Sequence, residues 1–192
     1  MTADTIVFHK KNYQKKFQTL CEDFVRKNNG FIFLERHTKI VDKILSKLWS
    51  ECSVSNKNSL IAVGGYGRNE LFPYSDVDIL VLQNEKSKEN DENITQFITK
   101  CWDIGLKIGH SVRSISEVKE EYNADISTAT NLLESRFIFG NNDLYLKFNS
   151  TIDKIINVEK FFKEKINEQA IRHKKYKDSA YQLEPNIKES PG

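Results

Sequence analysis

Proline is scarce in this sequence, with three residues in 192, and no segment is rich in proline, glycine or serine. Nothing therefore marks a flexible interdomain linker. No apolar run approaches the ~20 residues that span a bilayer, which argues against a transmembrane segment. Met1 to Lys16 is polar and lysine-containing, without the apolar stretch of a secretory signal. Cysteine is equally sparse: Cys21, Cys52 and Cys101 are odd in number, widely spaced, and form no Cys-x-x-Cys pair. They read as buried or incidental thiols in a reducing compartment, so the cytoplasm is the expected location. An excess of one charge is missing too, since 29 Lys/Arg against 27 Asp/Glu leave a formal net charge of +2. That balance carries no global signature of nucleic-acid or membrane binding. A chain of this length can bury one compact core, and it shows no internal repeat.

What is present is concentrated in one place. The short apolar run Leu60 to Val63 stops at Gly64-Gly65, a polar segment follows, and Ser75-Asp76-Val77-Asp78 opens a second apolar run that ends at Leu82. Side chains alternate along a strand, so Asp76 and Asp78 share a face, roughly 6.5–7 Å apart. Two same-facing carboxylates at a strand end can share a hard cation such as Mg²⁺. The glycines let backbone approach a bulky anion, and a helix starting there would aim N–H groups at it. Gly-Gly alone is usually a tight turn, and Asp-x-Asp alone is often a solvated strand end. The combination, with ten residues between Gly65 and Asp76, has the parts needed for phosphoryl or nucleotidyl transfer.

The arrangement resembles the signature of the polymerase β-like nucleotidyltransferase superfamily. Gly64-Gly65-Tyr66-Gly67-Arg68-Asn69-Glu70-Leu71-Phe72-Pro73-Tyr74-Ser75-Asp76-Val77-Asp78 is similar, more narrowly, to the N-terminal domain of bacterial PII uridylyltransferase/uridylyl-removing enzymes. So are Trp102-Asp103-Ile104-Gly105-Leu106-Lys107-Ile108-Gly109-His110-Ser111-Val112-Arg113 and Leu183-Glu184-Pro185-Asn186-Ile187-Lys188-Glu189-Ser190-Pro191-Gly192, with Ser190 where that family usually has glycine. The resemblance covers about Leu60 to Gly192. It implies a fragment cut within a motif, lacking the HD-type hydrolase and the glutamine-sensing ACT domains of the family.

Periodicity gives an α/β (α+β) pattern with helical flanks, and the resemblance implies the polymerase β-like nucleotidyltransferase fold: a small mixed sheet flanked by helices, with additional helices at the N-terminus and a helical C-terminal part. Helices are expected over Phe8 to Lys27, ended by Asn28-Asn29-Gly30, and around the stripe Ile40, Val41, Ile44, Leu45, Leu48, Trp49. Ser53 to Ser59 is a polar loop, Leu60 to Val63 a first strand, and Tyr66 to Leu71 a short helix ended before Pro73. Val77 to Leu82 reads as a central strand and Asn84 to Asn93 as a charged loop. A helical stripe (Ile94, Phe97, Ile98, Cys101, Trp102) leads to a third strand, Leu106 to Ile115, interrupted by Gly109 and His110. Helices follow over Ser116 to Tyr122, Ser127 to Phe137, Leu144 to Ile156 and Glu159 to about Tyr181. The expected division is a helical segment over 1–58, a nucleotidyltransferase core over 59–140 and a helical extension over 141–192.

The candidate site follows. Asp76 and Asp78 are the metal-binding and catalytic carboxylates. Gly64, Gly65, Arg68 and Ser75 belong to the nucleotide-binding turn, and Lys188 is a candidate phosphate contact from the tail. Arg68 could equally pair with Glu70 or an aspartate. The third strand carries no acid, so a third carboxylate stays unassigned. His110 is a weaker candidate to face the site, Arg113, Glu134 and Arg136 are weaker candidates to face phosphate, and the basic run Arg172 to Lys177 reads first as a solvated helix end. What the resemblance implies is transfer of UMP from UTP, with Mg²⁺, to a tyrosine of the nitrogen-regulatory PII protein, releasing pyrophosphate. By the same resemblance, glutamine would act only on the full-length enzyme, and no DNA, RNA or membrane partner is expected. Three other readings stay open: a related enzyme using another NTP or acceptor, a non-catalytic nucleotide-binding regulatory module, and a nucleic-acid polymerase, which the near-neutral charge disfavours.

Overall fold

The computed structural model of the chain describes residues 3–84 and 87–175. Helix α1 (Ala3–Lys27) ends where Asn28 takes a φ of 48°. The next residue already caps α2 (Gly30–Glu51), the Asn29 side chain accepting from the Ile32 N–H. The expected stop signal is thus also a start signal, and the polar stretch ahead of Ile40 is helix. The apolar stripe of α2 is buried, with Val41, Leu45, Leu48 and Trp49 fully so.

Four strands form one mixed sheet, β1 (Ser59–Ala62), β2 (Val77–Leu82), β3 (Ile108–Arg113) and β4 (Arg136–Gly140), in the order β3-β2-β1-β4. β1 runs antiparallel to both of its neighbours, and β2 runs parallel to β3. The single turn α3 (Gly64–Gly67) follows β1, two residues earlier than the expected helix and stopping before Arg68. A parallel pair needs a long crossover, and α4 (Lys88–Asp103) supplies it. Ser87 caps α4, and Glu89 and Asp91 lie in its first turn, where the helix dipole favours acids. Most of the expected charged loop is therefore the start of a helix. Beyond β3 come α5 (Ile115–Ala124) and α6 (Ile126–Leu133), then β4, α7 (Asn142–Ile155) and α8 (Val158–Lys175).

β4 corrects the sequence reading, which carried a helix from Ser127 through Phe137. The helix stops at Leu133, and Arg136–Gly140 pairs with β1. Five residues are too few for periodicity to separate strand from helix, and β4's pairing partner lies far upstream. The mixed sheet flanked by helices is the expected architecture.

Strand alternation divides the interior into two apolar layers. Leu60, Ala62, Ile79 and Val81 pack with α2 and α4, around Trp49 and Phe97. Ile61, Val63, Leu80 and Leu82 pack on the other face with α5, α6 and α7, around Val118, Leu132 and Phe148. Asp78 belongs to this second face. Among the described residues, no helix is long and apolar enough to cross a membrane.

Candidate active site

The turn after β1 is built on Gly64, whose φ is +58°, a region that favours glycine. A Cβ there would lie 3.3 Å from Asn131 Oδ1 and 3.9 Å from Asp78 Oδ2, so three elements meet at this residue. Gly65 is less constrained. A Cβ on it would make only ordinary contacts, 3.7 Å from an Arg68 nitrogen and from the Glu70 carbonyl. The conformational need thus falls on the first glycine of the pair.

β2 brings the aspartates to this turn. Asp76 is exposed just ahead of the strand, and Asp78 is half-buried within it. The Val63 N–H donates to the Asp78 carbonyl at 3.1 Å, fixing β1's exit beside the carboxylate. Across the parallel pair, Asp78 is in register with Gly109. A Cβ on Gly109 would collide with Asp78 Oδ1. The glycine read as an interruption of β3 is the residue that leaves room for the carboxylate. Ser75, also exposed, has its N–H donating to the Phe72 carbonyl at 3.2 Å.

A part-buried polar network holds the turn from behind. Tyr66 is 2 % exposed, and its hydroxyl donates to Asp42 Oδ1 on α2 at 2.5 Å. Arg136 grips the same carboxylate with both terminal nitrogens, at 2.9 and 3.1 Å, and its guanidinium lies 5.4 Å from the Tyr66 ring centroid. Burial, and then the Asp42 charge, push the Tyr66 phenol well above its ordinary pKa, so it stays a donor. Arg136, considered above as a phosphate contact, is committed to this network. The roles of Asp42 and Tyr66 escaped the sequence reading. The only available signal was an acid, Asp42, beside the apolar stripe of α2, a pattern that usually means a solvated edge.

Arg68 sits at the end of the turn between two acids. Nε donates to Glu70 at 2.8 Å and a terminal nitrogen to Glu134 at 2.5 Å. The Glu70 hydrogen bond, foremost, raises its already high pKa. The loop that carries Arg68 to Ser75 is tied down by buried His37, whose Nδ1 donates to the Leu71 carbonyl at 2.9 Å and whose Nε2 accepts from the Tyr13 hydroxyl at 3.3 Å. Burial lowers the His37 pKa, consistent with a neutral ring.

On the second face the sheet opens into a cleft of about 390 Å³ that runs from Asp78 between β3 and helices α5 and α6. Asn131 and Thr128 form one wall; Ser111, Arg113 and Glu121 line the far part. Arg113 donates to Glu121 at 2.5 Å and to the Val112 carbonyl at 3.0 Å. His110 borders the cleft, but its ring meets Trp102 edge-on at 5.7 Å. The structure therefore brings Gly64, Asp78, Asn131 and Gly109 together, and leaves Lys188 outside the described residues.

Among the described residues, no group of three or more His, Cys, Asp or Glu side chains could hold a metal ion. The carboxylates expected from the sequence to serve a cation are Asp76, exposed ahead of β2, and Asp78, half-buried within it. Carboxylate oxygens suit a hard divalent cation, and Asp78 Oδ1 occupies the space that Gly109 leaves on β3.

A family model described as nucleotidyltransferase domain matches residues 38–136, more than half of the chain and the whole of this site. Domains of that kind generally use divalent metal ions. A second model, GlnD PII-uridylyltransferase, matches residues 160–192. The chain is 43% identical over 182 residues to a bifunctional uridylyltransferase/uridylyl-removing enzyme of Nitrosospira multiformis, covering 91% of the chain and 20% of the relative. To the protein of the same name from Hydrogenovibrio crunogenus it is 42% identical over 186 residues, covering 89% and 20%. For the Thiobacillus denitrificans protein the identity is 43% over 161 residues, covering 83% and 19%. The chain thus spans about one fifth of the length of these relatives.

Proposed function

This chain belongs to the nucleotidyltransferase domain family, and from that membership we propose that it transfers UMP from UTP to a tyrosine of the nitrogen-regulatory PII protein. The observation that carries the reading is the placement of the Asp78 carboxylate between the Gly64 turn and Gly109, at the head of a cleft. The names of its relatives support the choice of UTP, and the PII-uridylyltransferase model that matches residues 160–192 supports the choice of PII.

Asp76 and Asp78 would hold Mg²⁺, which when bound neutralises charge on the phosphates and lowers the cost of displacement at phosphorus. The chain's own residues do the positioning. The turn at Gly64 and Gly65 brings backbone close to the triphosphate, and Ser75 flanks it beside Asp76. Arg68, next to the turn, contacts phosphate by exchanging one of its two carboxylate partners. The Tyr66–Asp42–Arg136 network keeps the turn rigid, and preorganisation of this kind is worth orders of magnitude in rate. In the reaction the tyrosine oxygen bonds to the α-phosphorus, the bond to the bridging oxygen breaks, and pyrophosphate leaves with that electron pair; the phenolic proton passes to water. The free thiols suit a cytoplasmic setting. On this reading a uridylyl-removing activity and a response to glutamine would reside in parts of the relatives that this chain does not span, and Lys188 remains a candidate phosphate contact.

The test incubates the full-length protein with each labelled NTP, Mg²⁺ and PII. Label from UTP on a PII tyrosine is the expected result. Label from another NTP alone, or none on PII, would refute the assignment of substrates.

A further inference from the structure

The far end of the cleft holds a pair of groups with no role in the reaction as described. Arg113 closes β3 and Glu121 sits on α5; Nε and Oε1 are joined at 2.5 Å. Both side chains are partly exposed, at 37% and 41%. Among the described residues, neither Glu121 Oε2 nor the second terminal nitrogen of Arg113 has a hydrogen-bond partner. The pair thus presents an open carboxylate acceptor next to an open guanidinium donor. In register, Asp78 stands opposite Gly109 and Leu82 opposite Arg113. Alternation puts Ser111 and Arg113 on the Asp78 face, roughly 7 and 13 Å along the strand from Gly109. Between the two ends, buried Leu80 and Val118 give the cleft an apolar floor. An apolar slot with phosphate chemistry at one end and a donor–acceptor pair at the other has the shape of a nucleoside site.

We propose that Arg113 and Glu121 read the pyrimidine edge and select uracil over cytosine. Uracil offers an N3–H donor flanked by carbonyl acceptors. Glu121 accepts from N3–H, and Arg113 donates to the O4 carbonyl. Cytosine offers an unprotonated N3 beside an amino group, so the same pair would set acceptor against acceptor and donor against donor. Hydrogen-bond sites discriminate strongly when the wrong ligand leaves their groups unpaired. This inference rests on the nucleotidyltransferase reading of the cleft and adds its base specificity.

Glu121→Gln is the informative change, because an amide can turn its NH₂ toward cytosine N3. The full-length protein, wild type and variant, is titrated calorimetrically with Mg·UTP and with Mg·CTP, without acceptor, and circular dichroism checks the fold. The wild type should prefer UTP. That preference should fall at least about tenfold in Glu121→Gln and fall likewise in Arg113→Gln, while Glu120→Gln on the exposed side of α5 leaves it unchanged. Equal wild-type affinities, or a preference that both cleft variants retain, overturn this inference alone. If neither nucleotide binds the folded wild type, the nucleotide reading of the cleft falls, and this inference falls with it.

Discussion

Asp78 and Gly109 stand opposite each other across the parallel β2–β3 pair, and a Cβ on Gly109 would collide with Asp78 Oδ1. The neighbouring strand therefore supplies space, and no acid, opposite Asp78. That space belongs to the one carboxylate that also approaches the Gly64 turn. The two carboxylates are set apart by their surroundings, Asp78 half-buried among fixed neighbours and Asp76 exposed at the strand's mouth.

Asp78→Asn and Asp76→Asn should each reduce nucleotidyl transfer by at least about a hundredfold, the loss expected when a metal site worth several kcal/mol of charge stabilisation is disabled. Both variants keep the shape of the side chain, so circular dichroism should be unchanged. Wild-type turnover in either folded variant would refute the assignment of that carboxylate.

Gly64→Ala and Gly65→Ala should behave differently. The first forces a Cβ into a left-handed conformation against Asn131 and should cost about 1–2 kcal/mol. The second meets only ordinary contacts and should cost less than about 0.5 kcal/mol. Denaturant midpoints measured side by side decide the matter; equal costs would mean that the turn relaxes freely.

Removing Asp42 should damage the site from a distance. Asp42→Ala leaves a largely buried Arg136 and the Tyr66 hydroxyl without their carboxylate, at a cost of about 2–3 kcal/mol. In a chain of this size that lowers Tm by roughly 4–12 °C. Tyr66→Phe should cost about half as much. A loss of kcat without the loss of stability would contradict a network that works by holding the turn.

Acid should loosen the loop that carries Arg68 to Ser75. Burial depresses the His37 pKa below the ordinary value of 6.5, so the unfolded chain binds the proton more readily than the folded one. The stability this neutral ring contributes is present above pH 6.5 and is lost as pH falls through the folded value. The groups facing the ring are the Leu71 carbonyl, the Tyr13 hydroxyl and the Phe17 and Phe33 rings. None of them is a carboxylate that would reverse the sign. His37→Gln should flatten the acid limb of a stability–pH curve; an unchanged limb would exclude His37 as its source.

The parts of the candidate site were legible in the sequence because they are local. Gly64 and Gly65, Asp76 and Asp78, and the apolar runs beside them lie within twenty-three residues, and strand alternation was ground enough to expect the two acids on one face, although Asp76 lies just ahead of β2. The long helices were legible for the same reason, since the stripe from Ile40 to Trp49 declares its burial by spacing. Tertiary structure decided what depends on residues far apart in the chain. β4 became a strand through pairing with β1, against a local pattern that could not separate strand from helix. Gly109 acquired its purpose from register with Asp78. Arg136 was drawn from a candidate phosphate contact into a bidentate grip on Asp42, 94 residues upstream. Periodicity reports which face a side chain occupies, whereas the partner it meets there is chosen by the packing of the whole sheet.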